Sequence, residues 1–375
     1  MKSPLIDIIA GARPNFMKIA PIIRELQLQQ VSGGSLRYRL IHTGQHYDAG
    51  MSGEFFAQLG IPKPDVNLEV GSGTQAEQTA AIMVRYEKLL LEQRSDLCLV
   101  VGDVTSTMAC SIAAQKLCVR VAHVEGGIRS GDWAMPEEIN RMVTDAITNY
   151  FFTTSEVANQ NLRRSGVADE RIFFVGNTMI DTLLANMDRL RAPVFWGELG
   201  LESGQYFVVT LHRPANVDGI SQLQAMLSAI GEGCRGLPVV FPVHPRTAKN
   251  LQKLPALPDN LRLVEPQPYL EFNFLVKHAK AVITDSGGIT EETTVMGVPC
   301  LTLRDTTERP ETVAVGTNEL IGTDPARLKP AMDRLFAGEW KKGDIPAKWD
   351  GKTGQRIVAV LEQLFGQSNA RCLAS

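Results

Sequence analysis

Between Asp96 and Arg141 the chain reads DLCLVVGDVTSTMACSIAAQKLCVRVAHVEGGIRSGDWAMPEEINR, and this stretch restricts the fold more than any other. The runs Leu97 to Val101 and Val119 to Val124 are short, largely apolar and bounded by turn residues. That is the pattern of strands buried on both faces of a parallel sheet. Thr105 to Lys116 reads as the helix joining them, which makes the stretch a βαβ unit. Such units gather loops and helix N-termini beyond the carboxyl ends of the strands, where open α/β sheets bind ligands. Asp103 and Glu125 fall at those ends, and Glu137 follows Pro136 at the expected start of the next helix.

The same alternation runs through the rest of the chain. Leu5 to Ala10 reads as a strand, followed by a glycine turn and the helical FMKIAPIIRELQLQQ; Arg37 to Thr43 is a second strand, and Met51 to Leu59 and Gln75 to Gln93 have helical periodicity. Tyr150 to Thr154 and RIFFVG extend the array, and Leu183 to Leu199 reads as a linker. A second array opens with YFVVTL and continues through helix Ile220 to Cys234, strand PVVFPVHP and a Pro/Leu-rich connection. It then runs through helix Leu270 to His278, strand AVITD, loop SGG, helix Thr290 to Met296 and strand PCLTL. Two arrays in 375 residues predict two doubly wound α/β domains, residues 1–180 and 200–350, facing a central cleft. A last helix starts near Thr353.

A hydrophobic fraction of 44% with 21% charged residues is that of an ordinary globular protein. The net charge of -3 supplies no basic field, which argues against nucleic acid or an anionic membrane as partner. The six cysteines lie mostly in apolar runs, without CxxC or Cys/His ligand spacing, so no structural metal site is expected and a reducing compartment is. No run approaches the roughly 20 apolar residues of a membrane helix, and the start of the chain lacks a signal-peptide pattern. These features predict a cytoplasmic protein. The absence of GxGxxG removes the usual dinucleotide fingerprint.

Candidate site residues sit where strands end. Gly11 to Asn15 forms a strand-to-helix turn that suits a phosphate, with Arg13 and Lys18 as cations for it or as ordinary surface charges. Ser286, Gly287 and Gly288 form a second such turn, where a side chain would block close approach of a diphosphate. Glu292 beyond it suits a ribose, and Glu291 and Glu292 equally suit dipole compensation in a first helical turn. Of the six histidines, His42, His123, His212 and His244 end strands, a convergence that points to a ligand rim unless each is merely structural. Asp103 reads as an acid/base group or as a helix cap, Glu137 as acid/base or as a routine first-turn residue. Glu125, before two glycines, has no capping duty. Several carboxylates in unlike environments are what proton transfer at carbon requires.

In order, GARPNFMK, HTGQHYD, GDVTSTMA, HVEGGIRS, PEEINR, VGNTMID, TLHRP, FPVHP, SGGITEE and LRDTTERPE resemble the motifs of the non-hydrolysing UDP-N-acetylglucosamine 2-epimerases, from Gly11 to Gly316. The resemblance implies a GT-B fold of two Rossmann-like domains, a homodimer, no cofactor or metal, and a C-terminal helix, about 353–375, packed back on the first domain. It implies interconversion of UDP-GlcNAc and UDP-ManNAc, for surface polysaccharide, through a 2-acetamidoglucal intermediate. The family's catalytic positions fall on Asp103, Glu125, Glu137 and His212. Its substrate contacts fall on Arg13, Lys18, Ser286, Gly287, Gly288 and Glu292, with Arg141 and His244 as further candidates and Phe272 beside the uracil. Gln45 and His46 match an allosteric pair. GARPNF, HVEGGIR and SGGIT depart from the commonest family forms. The GARP form also occurs in relatives acting on UDP-2,3-diacetamido-2,3-dideoxy-glucuronic acid, and a GT-B glycosyltransferase is the other alternative.

Overall fold

The computed structural model describes residues 3–44, 56, 58–243 and 245–373. The chain forms two units, one of residues up to Ala185 together with those from Ala347 onward, the other of Asn186–Pro346. In the first, strands β1 (Leu5–Ala10), β2 (Arg37–His42), β3 (Val66–Asn67), β4 (Leu97–Val101), β5 (Arg120–Val124), β6 (Tyr150–Thr153) and β7 (Ile172–Phe174) form one parallel sheet. Their order is β3-β2-β1-β4-β5-β6-β7. The chain builds outward from β1 and then returns to lay β4 on its other side. At such a switch point the loops leaving adjacent strands diverge, and ligands bind beyond the carboxyl ends.

Helices α1 (Arg13–Val31), α2 (Gln75–Glu92), α3 (Thr105–Lys116), α4 (Pro136–Ile147) and α5 (Glu156–Arg164) lie in the crossovers, and α6 (Thr178–Asn186) follows β7. Every residue of β1 and β4 is buried, as their apolar runs demand. The exception in kind is Asp7 on β1, which faces Arg39 across the β1–β2 register. Arg39 donates to both carboxylate oxygens at 2.8 and 2.9 Å, and Tyr86 on α2 donates a third bond. A buried charge is tolerable when paired in this bidentate way.

In the second unit β8 (Phe207–Thr210), β9 (Val239–Pro242), β10 (Leu261–Val264), β11 (Ala281–Thr284), β12 (Cys300–Thr302) and β13 (Asn318–Leu320) are also all parallel, in the order β10-β9-β8-β11-β12-β13. Its switch point lies between β8 and β11. Helices α7 (Ile220–Gly233), α8 (Tyr269–His278), α9 (Gly287–Met296) and α10 (Leu328–Phe336) cover the sheet. Phe207, Val209 and Phe241 pack with Met226 and Ile230 of α7 on one face, and Val208 and Val240 pack with Leu275 and Val276 of α8 on the other. The final helix, α11 (Thr353–Leu373), packs on α1 of the first unit.

Two strands depart from the sequence reading: β10 lies inside the supposed Pro/Leu-rich connection, and β13 follows the last expected strand. The expected helix Met51 to Leu59 falls largely outside the described residues. Among the described residues no helix is long and apolar enough to cross a membrane.

Candidate functional site

In the first unit, charged residues gather at the ends of β4 and β5. Glu125 follows β5 with φ of 71°, a left-handed conformation that residues with side chains adopt sparingly and that clusters at functional turns. Its N–H donates to the Phe152 carbonyl at 2.9 Å, and its buried Oε2 lies 2.7 Å from Nζ of Lys18 on α1. Lys18, read from sequence as a phosphate ligand, thus has its ammonium on a carboxylate. Gly127 is required here: a Cβ would stand 2.5 Å from the Ala158 carbonyl oxygen of α5.

Asp103 is held from α4. Arg141 donates through Nε at 3.0 Å and Nη2 at 2.5 Å to Asp103 Oδ2, and through Nη1 at 2.8 Å to Glu138 Oε2. The helix-cap alternative for Asp103 therefore fails, since Val104 occupies the N-cap of α3. Glu138 also accepts from the amides of Ser130 and Gly131, both at 3.0 Å. Burial raises its carboxyl, but those amides and Arg141 more than offset this and hold it below the usual carboxylate range. Arg141 is one guanidinium serving two carboxylates. Glu137, four residues before it and so on the same helix face, is half-buried and makes no hydrogen bond or ion pair among the described residues.

Two expectations are corrected in this unit. The amides of Gly11 and Ala12, offered to a phosphate by the sequence, both donate to Asn15 Oδ1 at 3.0 Å, and Asn15 Nδ2 bonds the Val101 carbonyl. An internal carboxamide fills that turn. The first unit's strand-end histidines, His42 and His123, are buried and not presented on a rim. His123 is fully buried, with Nδ1 2.7 Å from Asp145 and Nε2 2.7 Å from the Gly102 carbonyl, and serves as a girder between β5, α4 and the β4 loop. His42 is buried against Phe16 and accepts from the Gly44 amide; burial pushes its imidazole down. The side chain of Arg13, and all of Gln45, His46 and His244, lie outside the described residues.

In the second unit His212 follows β8 and Asp285 follows β11, side by side at the switch point. His212 Nδ1 lies 2.8 Å from Asp285 Oδ1, and its side chain is 47% exposed. Ser286 is the N-cap of α9, and Gly287 and Gly288 are its first helical residues, so the expected SGG loop with a helix from Thr290 is corrected. Packing overrides the low helix propensity of glycine here. Glu291 and Glu292 consequently stand in the second turn, buried, where they cannot compensate the dipole. Arg309 pairs with Glu291. Glu292 is bonded by Asn273 and Tyr269 of α8, yet burial dominates and pushes its carboxyl up to about 7. A Cβ at Gly287 would stand 2.5 Å from Glu308 Oε1, whose other oxygen pairs with Arg304 at 2.7 Å. Phe272 packs its ring, half-buried, against the Tyr206 cluster. Among the described residues no group of three or more His, Cys, Asp or Glu side chains is placed to hold a metal ion.

A family profile described as UDP-N-acetylglucosamine 2-epimerase matches residues 29–362. The chain belongs to that family. It is 40% identical to the UDP-N-acetylglucosamine 2-epimerase of Methanocaldococcus jannaschii over 95% of this chain and 98% of that one. A crystal structure of the Methanocaldococcus enzyme, in complex with UDP-GlcNAc and UDP, superposes with a TM-score of 0.85 over 95% of this chain and 99% of that one. The chain is also 39% identical to the UDP-2,3-diacetamido-2,3-dideoxy-D-glucuronate 2-epimerase of Pseudomonas aeruginosa, over 95% of this chain and 99% of that one. The fold is therefore the GT-B type of this epimerase family, with two Rossmann-like units.

In this 2-epimerase family member the structure joins Lys18 to Glu125 and Asp103 to Arg141 in one unit. In the other it pairs His212 with Asp285, the residue before Ser286. Sequence reasoning missed Asp285, Glu138, Asn273 and the Arg304–Glu308 pair. Asp285 carried a usable signal, a carboxylate at the end of an apolar strand, the same one that marked Asp103. Glu138 carried none, because a Glu three residues before an Arg is routine on helices.

Proposed function

We propose that this chain is a non-hydrolysing 2-epimerase interconverting UDP-GlcNAc and UDP-ManNAc. The observation that carries the reading is the set of three carboxylates at the ends of β4 and β5 and on α4, two fixed by cations and one without an ion pair among the described residues. The C2 hydrogen of the sugar is weakly acidic, so the C1–O bond to UDP breaks ahead and positive charge builds at C1 and the ring oxygen. Glu125 and Asp103 stabilise that charge. A carboxylate takes the C2 proton, leaving 2-acetamidoglucal and UDP; UDP then adds back at C1 as a proton reaches C2 from the opposite face. Asp103, Glu125 and Glu137 share the acid and base roles.

The nucleotide belongs to the second unit. The amides of Gly287 and Gly288 at the start of α9 receive the diphosphate, because the first N–H groups of a helix have no partner within it and the dipole favours an anion, while the Ser286 amide is taken by the Thr284 hydroxyl at 2.9 Å. Glu292 accepts the ribose hydroxyls, Phe272 borders the uracil, and His212 with Arg13 stabilises the departing diphosphate. The same reading takes the enzyme to be a cytoplasmic homodimer that supplies surface polysaccharide synthesis.

The Pseudomonas relative supports a second reading, epimerisation of a 2,3-diacetamido uronic acid nucleotide by the same chemistry. Incubation with each nucleotide sugar in D₂O, followed by proton NMR, tests both. A new UDP-ManNAc anomeric signal with deuterium at C2 is the expected result, and turnover of the uronic acid alone moves the substrate to the second reading. Glu125→Gln and Glu137→Gln are expected to slow exchange by about 10²-fold or more; near-normal rates in both would end the acid/base assignment.

A further inference from the structure

We infer that Asp285 is the positioning residue for His212, fixing which ring nitrogen is turned outward to the departing diphosphate. The inference rests on the proposed function for its kinetic consequence, though not for its geometry. Asp285 is completely buried at the end of β11, and its two oxygens have divided tasks. Oδ2 holds the turn after β8, accepting from the amides of His212 at 3.0 Å and Arg213 at 2.9 Å and from Asn216 Nδ2 at 3.1 Å. Oδ1 accepts from His212 Nδ1 at 2.8 Å, with only a longer contact of 3.2 Å to the His212 amide besides.

A carboxylate so supplied with N–H donors stays ionised and only accepts. The nitrogen facing it must carry the proton, so Nδ1 of His212 is the protonated one. Nε2 is left as the nitrogen that holds or releases a proton. With Nδ1 held by Asp285, Nε2 is the ring nitrogen left to meet a phosphate oxygen as negative charge gathers there. Among the described residues the other charges near this turn are the Arg213 guanidinium, whose Nε donates to the Asp285 carbonyl at 3.1 Å, and the Arg304–Glu308 pair beyond it.

The divided tasks separate a positioning role from a merely structural one. In Asp285→Asn the carboxamide oxygen can keep the turn's donors, while its NH₂ meets Nδ1 and forces the proton onto Nε2. The test is ¹⁵N NMR of the His212 ring, assigned by its loss in His212→Asn, beside kinetics and UDP calorimetry on the full chain. The wild type is expected to show protonated Nδ1. Asp285→Asn is expected to show the opposite tautomer, UDP affinity within a few-fold of wild type, and kcat lower by on the order of 10² to 10³-fold with little change in KM. Protonated Nε2 with bare Nδ1 in the wild type, or a variant that turns over normally, overturns the inference. Should the variant fail to fold, the wild-type tautomer decides alone. Should the wild type epimerise neither nucleotide sugar, the proposed function falls while the tautomer still tests the positioning.

Discussion

Glu292 is the residue at which burial and function pull hardest against each other. Its carboxyl is raised by desolvation from 4.5 to about 7, despite bonds from Asn273 and Tyr269. A carboxyl whose folded value exceeds its unfolded one binds its proton more tightly in the fold. As pH rises through about 4.5 the unfolded chain releases the proton first, so stability falls across the window up to about 7 and is level above it. The full penalty is about 3 kcal/mol. Glu292→Gln is therefore expected to gain stability over wild type at about pH 8 and to gain none near pH 4, read from urea midpoints. If the ionised form accepts the ribose hydroxyls, UDP affinity measured by calorimetry should rise with pH up to about 7 in the wild type and be flat and weaker in the variant. Gly287→Ala should likewise weaken UDP binding about tenfold or more, because the new methyl displaces Glu308 from Arg304 at the start of α9. At this scale the sequence shows residues whose position alone marks them, such as Asp103 and Glu125 at strand ends. It hides those defined by a partner: nothing local says that Lys18 meets Glu125 across 107 positions.

Among the elements, α1 shows how a local fault is repaired from afar. Pro21 lies inside the helix and has no N–H to give the carbonyl four residues back, that of Met17. Thr182 on α6 donates its hydroxyl to this carbonyl at 2.5 Å. Thr182→Val is expected to cost about 1 to 3 kcal/mol by leaving the carbonyl unsatisfied. Adding Pro21→Ala, which restores the helical N–H, should recover most of that loss. Denaturant midpoints of the two single variants and the double would show it, and strictly additive effects would refute the coupling. The apolar periodicity of α1 was plain in the sequence despite Pro21, because nineteen residues of pattern outweigh one breaker. The edge strands were not plain. No residue of β10 is fully buried, and β13 is three residues long with Asn318, bonded by Thr302, as its buried member. Neither presents the apolar run that marks a central strand. The start of α9 was misplaced for the opposite reason, since a glycine pair reads locally as a loop wherever tertiary packing has not been seen.

At the scale of the whole molecule the two units differ in how the chain enters them. The second is one continuous stretch, Asn186–Pro346, whose six strands and covering helices all lie within it. The first is split, and its later piece is structural. Trp349 is buried and donates from Nε1 to the Thr154 carbonyl at 3.1 Å, the Gly354 amide donates to Asp181 at 2.7 Å, and α11 covers α1. Alternation of strands and helices announces two such arrays from the sequence, but which core a distant segment joins is decided by long-range packing that no local pattern carries. The consequence is an asymmetry under dissection. A fragment of residues 186–346 is expected to unfold cooperatively and to bind UDP, since Ser286, Gly287, Phe272 and Glu292 all belong to it. A fragment ending at Ala185 is expected not to fold, because it lacks Trp349 and α11. In the full chain Trp349→Ala should cost about 3 to 5 kcal/mol, as removal of a large buried aromatic does. Calorimetric unfolding with and without UDP separates the contributions: the nucleotide should protect the unit that contains α9, and the Trp349 variant should lower the transition of the other. A Trp349→Ala protein whose transitions both stay in place would show that the later piece is an appendage, and the first unit would then have to close its core around α1 by other means.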